Sequence, residues 1–194
     1  MKIIGILGDI GSGKSYVANK FGVPVFNADK EVSKIYKKNK NCYKKLKKNL
    51  PKYIKSFPID KKKLGNAINH NKKNLKKIIK IVHPIVRLEV KKFLKKNKKK
   101  RIVVLDIPLL LENKLNKKNY ILIFIDAKKN EIKKRLKLRP NYNNKVFDKL
   151  RKIQLPLEHK KKKSDYIIKN NFKKFTIEKE IKFIKKLILK KWKK

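Results

Sequence analysis

Cysteine, arginine, glycine and acidic residues are all scarce in this chain of 194 residues. The single cysteine, Cys42, permits no internal disulfide, which excludes a disulfide scaffold and a cysteine-based zinc centre. No apolar run reaches the roughly 18 residues of a membrane span. The short stretch Ile3–Leu7 is stopped by Gly8 and Asp9 before it could serve as a signal-peptide core. A reducing, cytoplasmic setting with no membrane partner is therefore expected. Acidic residues number 14 against 60 Lys+Arg, a net charge of +46 that would ordinarily point to nucleic acid. Yet arginine, whose planar fork dominates base-edge readout, occurs only at Arg87, Arg101, Arg135, Arg139 and Arg151. The crowding of Lys, Ile and Asn is what A/T-rich codon usage produces, so no specific nucleic-acid partner is expected. A 40% hydrophobic content with nine Phe and seven Tyr is enough for one sizeable core. Nothing sets an oligomeric state, and a monomer is the working expectation.

What is present is a repeated alternation of short apolar runs and helical stretches. Lys2–Leu7, Val23–Phe26, Ile102–Leu105 and Tyr120–Ile125 are rich in β-branched and aromatic residues, and Tyr166–Ile168 is a weaker fifth run. The first ends on Gly8, the next three on Asn27-Ala28-Asp29, Asp106 and Asp126. Such runs read as strands buried on both faces, so the class is α/β with a mostly parallel sheet whose strand ends are where ligands sit. The interval of about 30–100 is too long for one crossover and reads as a helical insertion. There Leu75, Ile78, Ile79 and Val82 share a helical face, and His83-Pro84 is expected to end that helix and begin another carrying Val86, Val90 and Phe93. Residues 135–163 form a cationic stretch read as a mobile lid, with Lys160–Lys163 a low-complexity run. Ile177, Ile181, Ile184, Leu187, Ile188 and Trp192 make the stripe of a final amphipathic helix.

The sharpest chemical signal is Gly8-Asp-Ile-Gly-Ser-Gly-Lys-Ser15, which fits G-x-x-x-x-G-K-[ST] and lies between a strand and a helical stretch. Glycines let such a loop curl its N–H groups around phosphate oxygens. Gly8, Ile10, Gly11, Ser12, Gly13, Lys14, Ser15 and Tyr16 are therefore candidate nucleotide contacts, with Lys14 a point charge for the β- and γ-phosphates and Ser15 a ligand for Mg²⁺. Asp29, just past the second strand, is a base for an attacking hydroxyl, the N-cap of the next helix, or both. Asp106 ends the third strand and offers a carboxylate to a metal or its water shell, or simply caps the strand.

Taken in order, the motifs resemble the dephospho-CoA kinase family over nearly the whole chain. They are the phosphate loop with Val17-Ala18, Asn27-Ala-Asp29, His83-Pro84-x-Val-Arg87, Asp106-Ile-Pro-Leu-Leu-Leu-Glu112, Arg135-Leu-x-x-Arg139, Gln154-x-Pro156-Leu-Glu-x-Lys160 and Ser164-Asp165-Tyr-Ile-Ile-x-Asn170. The resemblance implies a three-layer P-loop kinase fold, a single domain over 1–194. Its core would be about 1–29, 101–134 and 164–194, its helical acceptor-binding insertion about 30–100 and its lid about 135–163. It implies ATP as phosphoryl donor, Mg²⁺, and the ribose 3′-hydroxyl of dephospho-CoA as acceptor. It makes Asp29 the general base beside Lys14 and Arg139, adds Arg135 and Asn170 to the nucleotide contacts, and groups His83, Arg87 and Asp106 on the acceptor side.

The chain departs from the family pattern at Asn27, where an Asp is usual, at Tyr16 in place of a small Thr, at Ser164 in place of Ala, and at Asn171-Phe172, where a glycine is expected. Two alternatives stay open. One is another small-molecule kinase of the same architecture, of the nucleoside monophosphate or shikimate type. The other is a nucleic-acid-dependent ATPase, which predicts turnover stimulated by DNA or RNA.

Overall fold

A computed structural model describes residues 1–138, 151 and 153–190. Five strands, β1 (Lys2–Gly8), β2 (Val25–Asn27), β3 (Ile102–Asp106), β4 (Tyr120–Asp126) and β5 (Tyr166–Lys169), form one sheet in the order β2-β3-β1-β4-β5. Every pairing is parallel. The runs are nearly all apolar because parallel strands with helical crossovers are covered on both faces. The order reverses at β1, the central strand, and it is at such a reversal that an α/β sheet opens a crevice for ligands.

Alternation along β1 sends Ile4 and Ile6 to one face. There they join Val17, Ala18 and Phe21 of α1 (Lys14–Lys20) and Ile177, Ile181, Ile184 and Ile188 of α8 (Lys174–Lys190), all buried. The expected terminal stripe is thus the inner face of α8 at those four isoleucines. Leu187 is half-buried and Trp192 lies outside the described residues. On the other face of β1, Gly5 lies under Leu110 and Leu122, whose methyl groups leave no room for a side chain. Between β4 and β5 run α6 (Lys129–Lys137) and α7 (Leu157–Lys162). Arg139 and the rest of 139–150 lie outside the described residues.

The chain divides into two compact units, 1–27 with 97–194, and 28–96. The second unit holds α2 (Ala28–Lys38), α3 (Lys40–Asn49), α4 (Lys61–His70) and α5 (Lys72–Lys96). Asn39 and Asp60 cap α3 and α4, each side chain accepting a first-turn N–H at 2.8 Å.

The break expected at His83-Pro84 is absent: α5 continues through Pro84 for 25 residues. Proline removes the N–H that would bond the Lys80 carbonyl and disfavours helical geometry at His83. Against that cost stand Ile78, Val82 and Val86, buried on one continuous face spanning the proline, while Pro84 itself is exposed. Burying three branched side chains contributes about 1.5–3 kcal/mol each, more than the roughly 3 kcal/mol of an interior proline.

Candidate active site

The phosphate loop leaves the C-terminal end of β1 and runs into α1. Gly8, Gly11 and Gly13 have φ of 143°, 84° and 89°. At Gly13, the residue preceding α1, glycine is required twice over. Its φ is left-handed, and a Cβ there would collide with the side-chain amide of Asn170. That amide donates to the Ser12 carbonyl at 2.8 Å, its oxygen accepts from Phe172 N–H at 2.7 Å, and the Asn170 backbone N–H bonds the Asp126 carbonyl at 2.6 Å. Asn170 is buried, so the residue past β5 fixes the loop from the side. Gly11 is covered by Ile132 and Leu136 of α6.

Lys14 opens α1 and folds back over the loop, its ammonium donating to the carbonyls of Gly8 (3.2 Å) and Asp9 (2.6 Å). Ser15 and Tyr16 are exposed beside it, and Ser12 is buried. Asp9 puts a carboxylate inside the loop. One oxygen accepts the Ile10 N–H at 2.6 Å, and the other lies 3.4 Å from the Arg151 guanidinium. Asp9, Arg151, Lys129, Lys133 and Gln154 line a cleft of about 470 Å³, a cationic recess opening on the loop.

On the other flank, the β2–β3 register pairs Asn27 with Asp106. Asn27 Nδ2 donates to Asp106 Oδ2 at 2.6 Å, and Asp106 is 3% exposed. An aspartate at position 27, half-buried, would set a second carboxylate against the buried Asp106; the asparagine supplies a donor instead. Two pairs that the sequence did not announce hold α7. Lys160, at the head of the lysine run, is buried and bonds Glu112 (2.7 Å) and Gln154 (3.0 Å), while Glu112 also accepts the Leu155 N–H at 3.0 Å. Burial would push the Glu112 carboxyl up, but Lys160 and the two backbone N–H groups outweigh it and hold the carboxyl below its usual range. Lys161 pairs with Asp126 at 3.0 Å. Arg135, in the last turn of α6, lies over the Phe172 ring at 4.6 Å.

In the second unit, Asp29 stands in the first turn of α2, inside the helix and not at its cap, and its carbonyl accepts the Ser33 hydroxyl at 2.7 Å. His83 and Arg87 are one turn apart on α5. Burial, and then the Arg87 charge, lower the His83 pKa below its ordinary value, so the imidazole is neutral near pH 7.

A loop of this spacing at the reversal point of a parallel sheet, with a lysine over its carbonyls and a carboxylate on the adjoining strand end, defines a P-loop nucleotide-binding protein. A sequence model of the dephospho-CoA kinase family matches residues 2–174. A dephospho-CoA kinase of Bartonella quintana is 35% identical over 173 residues, 87% of this chain and 88% of that one. Among solved structures, TT1252 from Thermus thermophilus superposes with a TM-score of 0.79 at 26% identity, covering 98% of this chain and 97% of the other. Dephospho-CoA kinase from Campylobacter jejuni gives 0.65 at 25% identity, covering 96% and 97%. The chain belongs to the dephospho-CoA kinase family. Among the described residues, no helix is long and apolar enough to cross a membrane.

Proposed function

We propose that this chain transfers the γ-phosphoryl group of ATP to the ribose 3′-hydroxyl of dephospho-CoA, giving coenzyme A and ADP. The observation that carries the proposal is the phosphate loop at the end of the central strand, in a chain whose family match runs from residue 2 to residue 174. Phosphoryl transfer through a loose transition state is mostly positioning and charge neutralisation. Gly8, Ile10, Gly11, Ser12, Gly13 and Tyr16 supply the backbone cradle, with Asn170 serving it by fixing the Ser12 peptide. Lys14 moves from the loop's carbonyls to the β- and γ-phosphates.

Magnesium fits the oxygens present. No group of three His, Cys, Asp or Glu side chains is assembled among the described residues, and the donors are the Ser15 hydroxyl and the Asp106 carboxylate. Such a sparse hard-donor set suits an ion that keeps much of its water and comes with the nucleotide. Once bound it supplies charge neutralisation between the phosphates.

Asp29 accepts the proton of the attacking hydroxyl, a contribution of about 10²–10⁴ in rate for a positioned base. Residues 28–96 take the acceptor, through His83 as a neutral hydrogen-bonding partner and Arg87 as a cation for its phosphates, with Asp106 on the acceptor side of the loop. Arg135 and Arg139 bring positive charge from the lid segment. The protein acts in the cytoplasm as a monomer, without a specific nucleic-acid partner.

The test compares wild type with Asp29→Asn, measuring ATP binding and turnover with dephospho-CoA and with a panel of nucleoside monophosphates and shikimate. Retained ATP binding with turnover down by orders of magnitude, and dephospho-CoA the preferred acceptor, are expected. Near-normal turnover in Asp29→Asn would remove it as the base, and a better acceptor elsewhere in the panel would replace the substrate. ATP turnover stimulated by DNA or RNA at physiological salt would favour a nucleic-acid-dependent ATPase instead.

A further inference from the structure

Helix α8 packs on the sheet through Ile177, Ile181, Ile184 and Ile188, and its opposite face carries two bare aromatic rings. Phe175 is 79% exposed and Phe183 62%. At about 100° and 1.5 Å per residue they stand about 80° apart on the outward side, separated by about 12 Å along the axis. Lys179, Lys182, Lys186 and Lys190 fill the same sector, all exposed. Glu178, at the edge of that sector, is offset by Lys20 of α1, Nζ to Oε1 2.9 Å. One helix face thus presents two rings in a field of ammonium groups, while the core contact that an amphipathic helix needs is already made on the other side. Codon usage explains lysine at free positions but does not change what the lysines attract. Each ring left in water forgoes the burial free energy of a large apolar side chain.

The net charge of +46 makes the partner of this face an anion, and its chemistry selects which. A nucleic acid calls on arginine forks and on a groove in which bases stack; none of the five arginines lies on α8, and the outward face of a helix is convex. A folded acidic protein needs a contiguous apolar centre, which two rings about 12 Å apart with lysines between them do not make. An anionic bilayer asks for neither. Flexible ammonium groups meet headgroup phosphates as point charges, lysine stems lie along the surface, and aromatic rings enter the boundary between headgroups and acyl chains.

We infer that the outward face of α8 is a peripheral docking surface for an anionic lipid bilayer, with Phe175 and Phe183 seated at the headgroup boundary and Lys179, Lys182, Lys186 and Lys190 on the lipid phosphates. The inference goes beyond the proposed reaction and does not rest on it. The expectation of no membrane partner rests on the lack of a spanning run, and a helix lying on a surface needs none.

The full chain is sedimented at physiological salt with vesicles of phosphatidylcholine alone and with vesicles in which about one third is phosphatidylglycerol. Wild type is compared with Phe175→Ser/Phe183→Ser, Phe175→Leu/Phe183→Leu, Lys182→Gln/Lys186→Gln and, as a charge-matched control on exposed positions of α5, Lys91→Gln/Lys95→Gln. Wild type should bind the phosphatidylglycerol vesicles and leave the phosphatidylcholine ones. The serine pair should lose about tenfold in vesicle affinity and the leucine pair should restore most of it, a rescue that a folding defect would not give. Lys182→Gln/Lys186→Gln should lose about five- to twentyfold and the control less than about threefold. Wild type ignoring the phosphatidylglycerol vesicles, the serine pair bound like wild type, the leucine pair bound no better than the serine pair, or the control losing as much as Lys182→Gln/Lys186→Gln would each overturn the inference. Loss of polyuridylate binding in the serine pair with vesicle binding kept would overturn it in favour of a nucleic acid on this face.

Discussion

Lys160 is one of 55 lysines and the first of four in a row, yet replacing it should do what replacing its neighbours does not. Its side chain is 4% exposed and that of Glu112 9%, with Nζ and Oε1 2.7 Å apart. Gln154 gives the ammonium a second acceptor, and the Leu155 N–H gives the carboxylate a second donor. In Lys160→Met the carboxylate stays buried with backbone donors only, and in Glu112→Leu the buried ammonium keeps only Gln154 while the Leu155 N–H loses its acceptor. Removing one member of a buried pair costs about 3–5 kcal/mol. For a chain of this size 1 kcal/mol is about 2–4 °C, so each variant should melt roughly 6–20 °C lower. The double variant Glu112→Leu/Lys160→Met removes both charges and should lose clearly less than the sum, with a coupling on the order of 1–3 kcal/mol. Lys162→Met, on the exposed neighbour, should change stability by less than about 0.5 kcal/mol. Circular-dichroism melts of the four variants at pH 7 decide it. Lys160→Met melting with Lys162→Met, or losses that simply add, would show that the pair does not hold α7. Because Lys160 and its partners hold Glu112 in the charged form, the stabilisation should be full above the ordinary carboxylate pKa and fade as pH falls through the lowered native value.

Three further expectations follow from the site. Gly13→Ala places a methyl group on the Asn170 amide at a left-handed residue, and should cost about 2–4 kcal/mol in melts and abolish measurable ATP binding; normal binding would show that the loop adapts. Asp9→Asn keeps an acceptor for the Ile10 N–H but removes a negative charge from the loop. It should lower the KM for ATP about two- to fivefold in steady-state kinetics, and a raised KM would mean that its hold on Arg151 matters more. His83 should titrate below the ordinary value near 6.5 by NMR and move up in Arg87→Ala, and its stabilising contribution should be full above pH 6.5 and be lost as pH drops toward the native pKa. A His83 titrating at or above the ordinary value would contradict the burial seen on α5.

The sheet was legible because each strand is a local, nearly all-apolar run closed by a glycine or a polar residue, and the observed strands exceed or fall short of those runs by only a residue or two. The phosphate loop was legible for the same reason: its spacing is local and its glycines answer to backbone geometry. Pro84 misled because the rule against interior proline is local, whereas the buried face of Ile78, Val82 and Val86 belongs to the packing of α5. Lys160 carried a motif signal together with Gln154, but in a chain that writes lysine at most free positions nothing in the sequence showed that it is buried against Glu112. Asn170 carried a motif signal, but its grip on Ser12 spans 158 residues of sequence and becomes visible only when β5 is set beside β4. Asp9 and Arg151, 142 residues apart, had no signal beyond the rarity of arginine.

The most direct measurement is the stoichiometry of products when the purified protein is given Mg²⁺-ATP and dephospho-CoA at physiological salt, with ADP followed by a coupled assay and the acceptor product identified by mass spectrometry and phosphorus NMR. One coenzyme A per ADP, phosphorylated at the ribose 3′ position, with little ADP formed in the absence of acceptor, is the expected result. ADP released without coenzyme A, or a phosphate placed elsewhere on the acceptor, would contradict the assignment of phosphate loop, base and acceptor to this reaction.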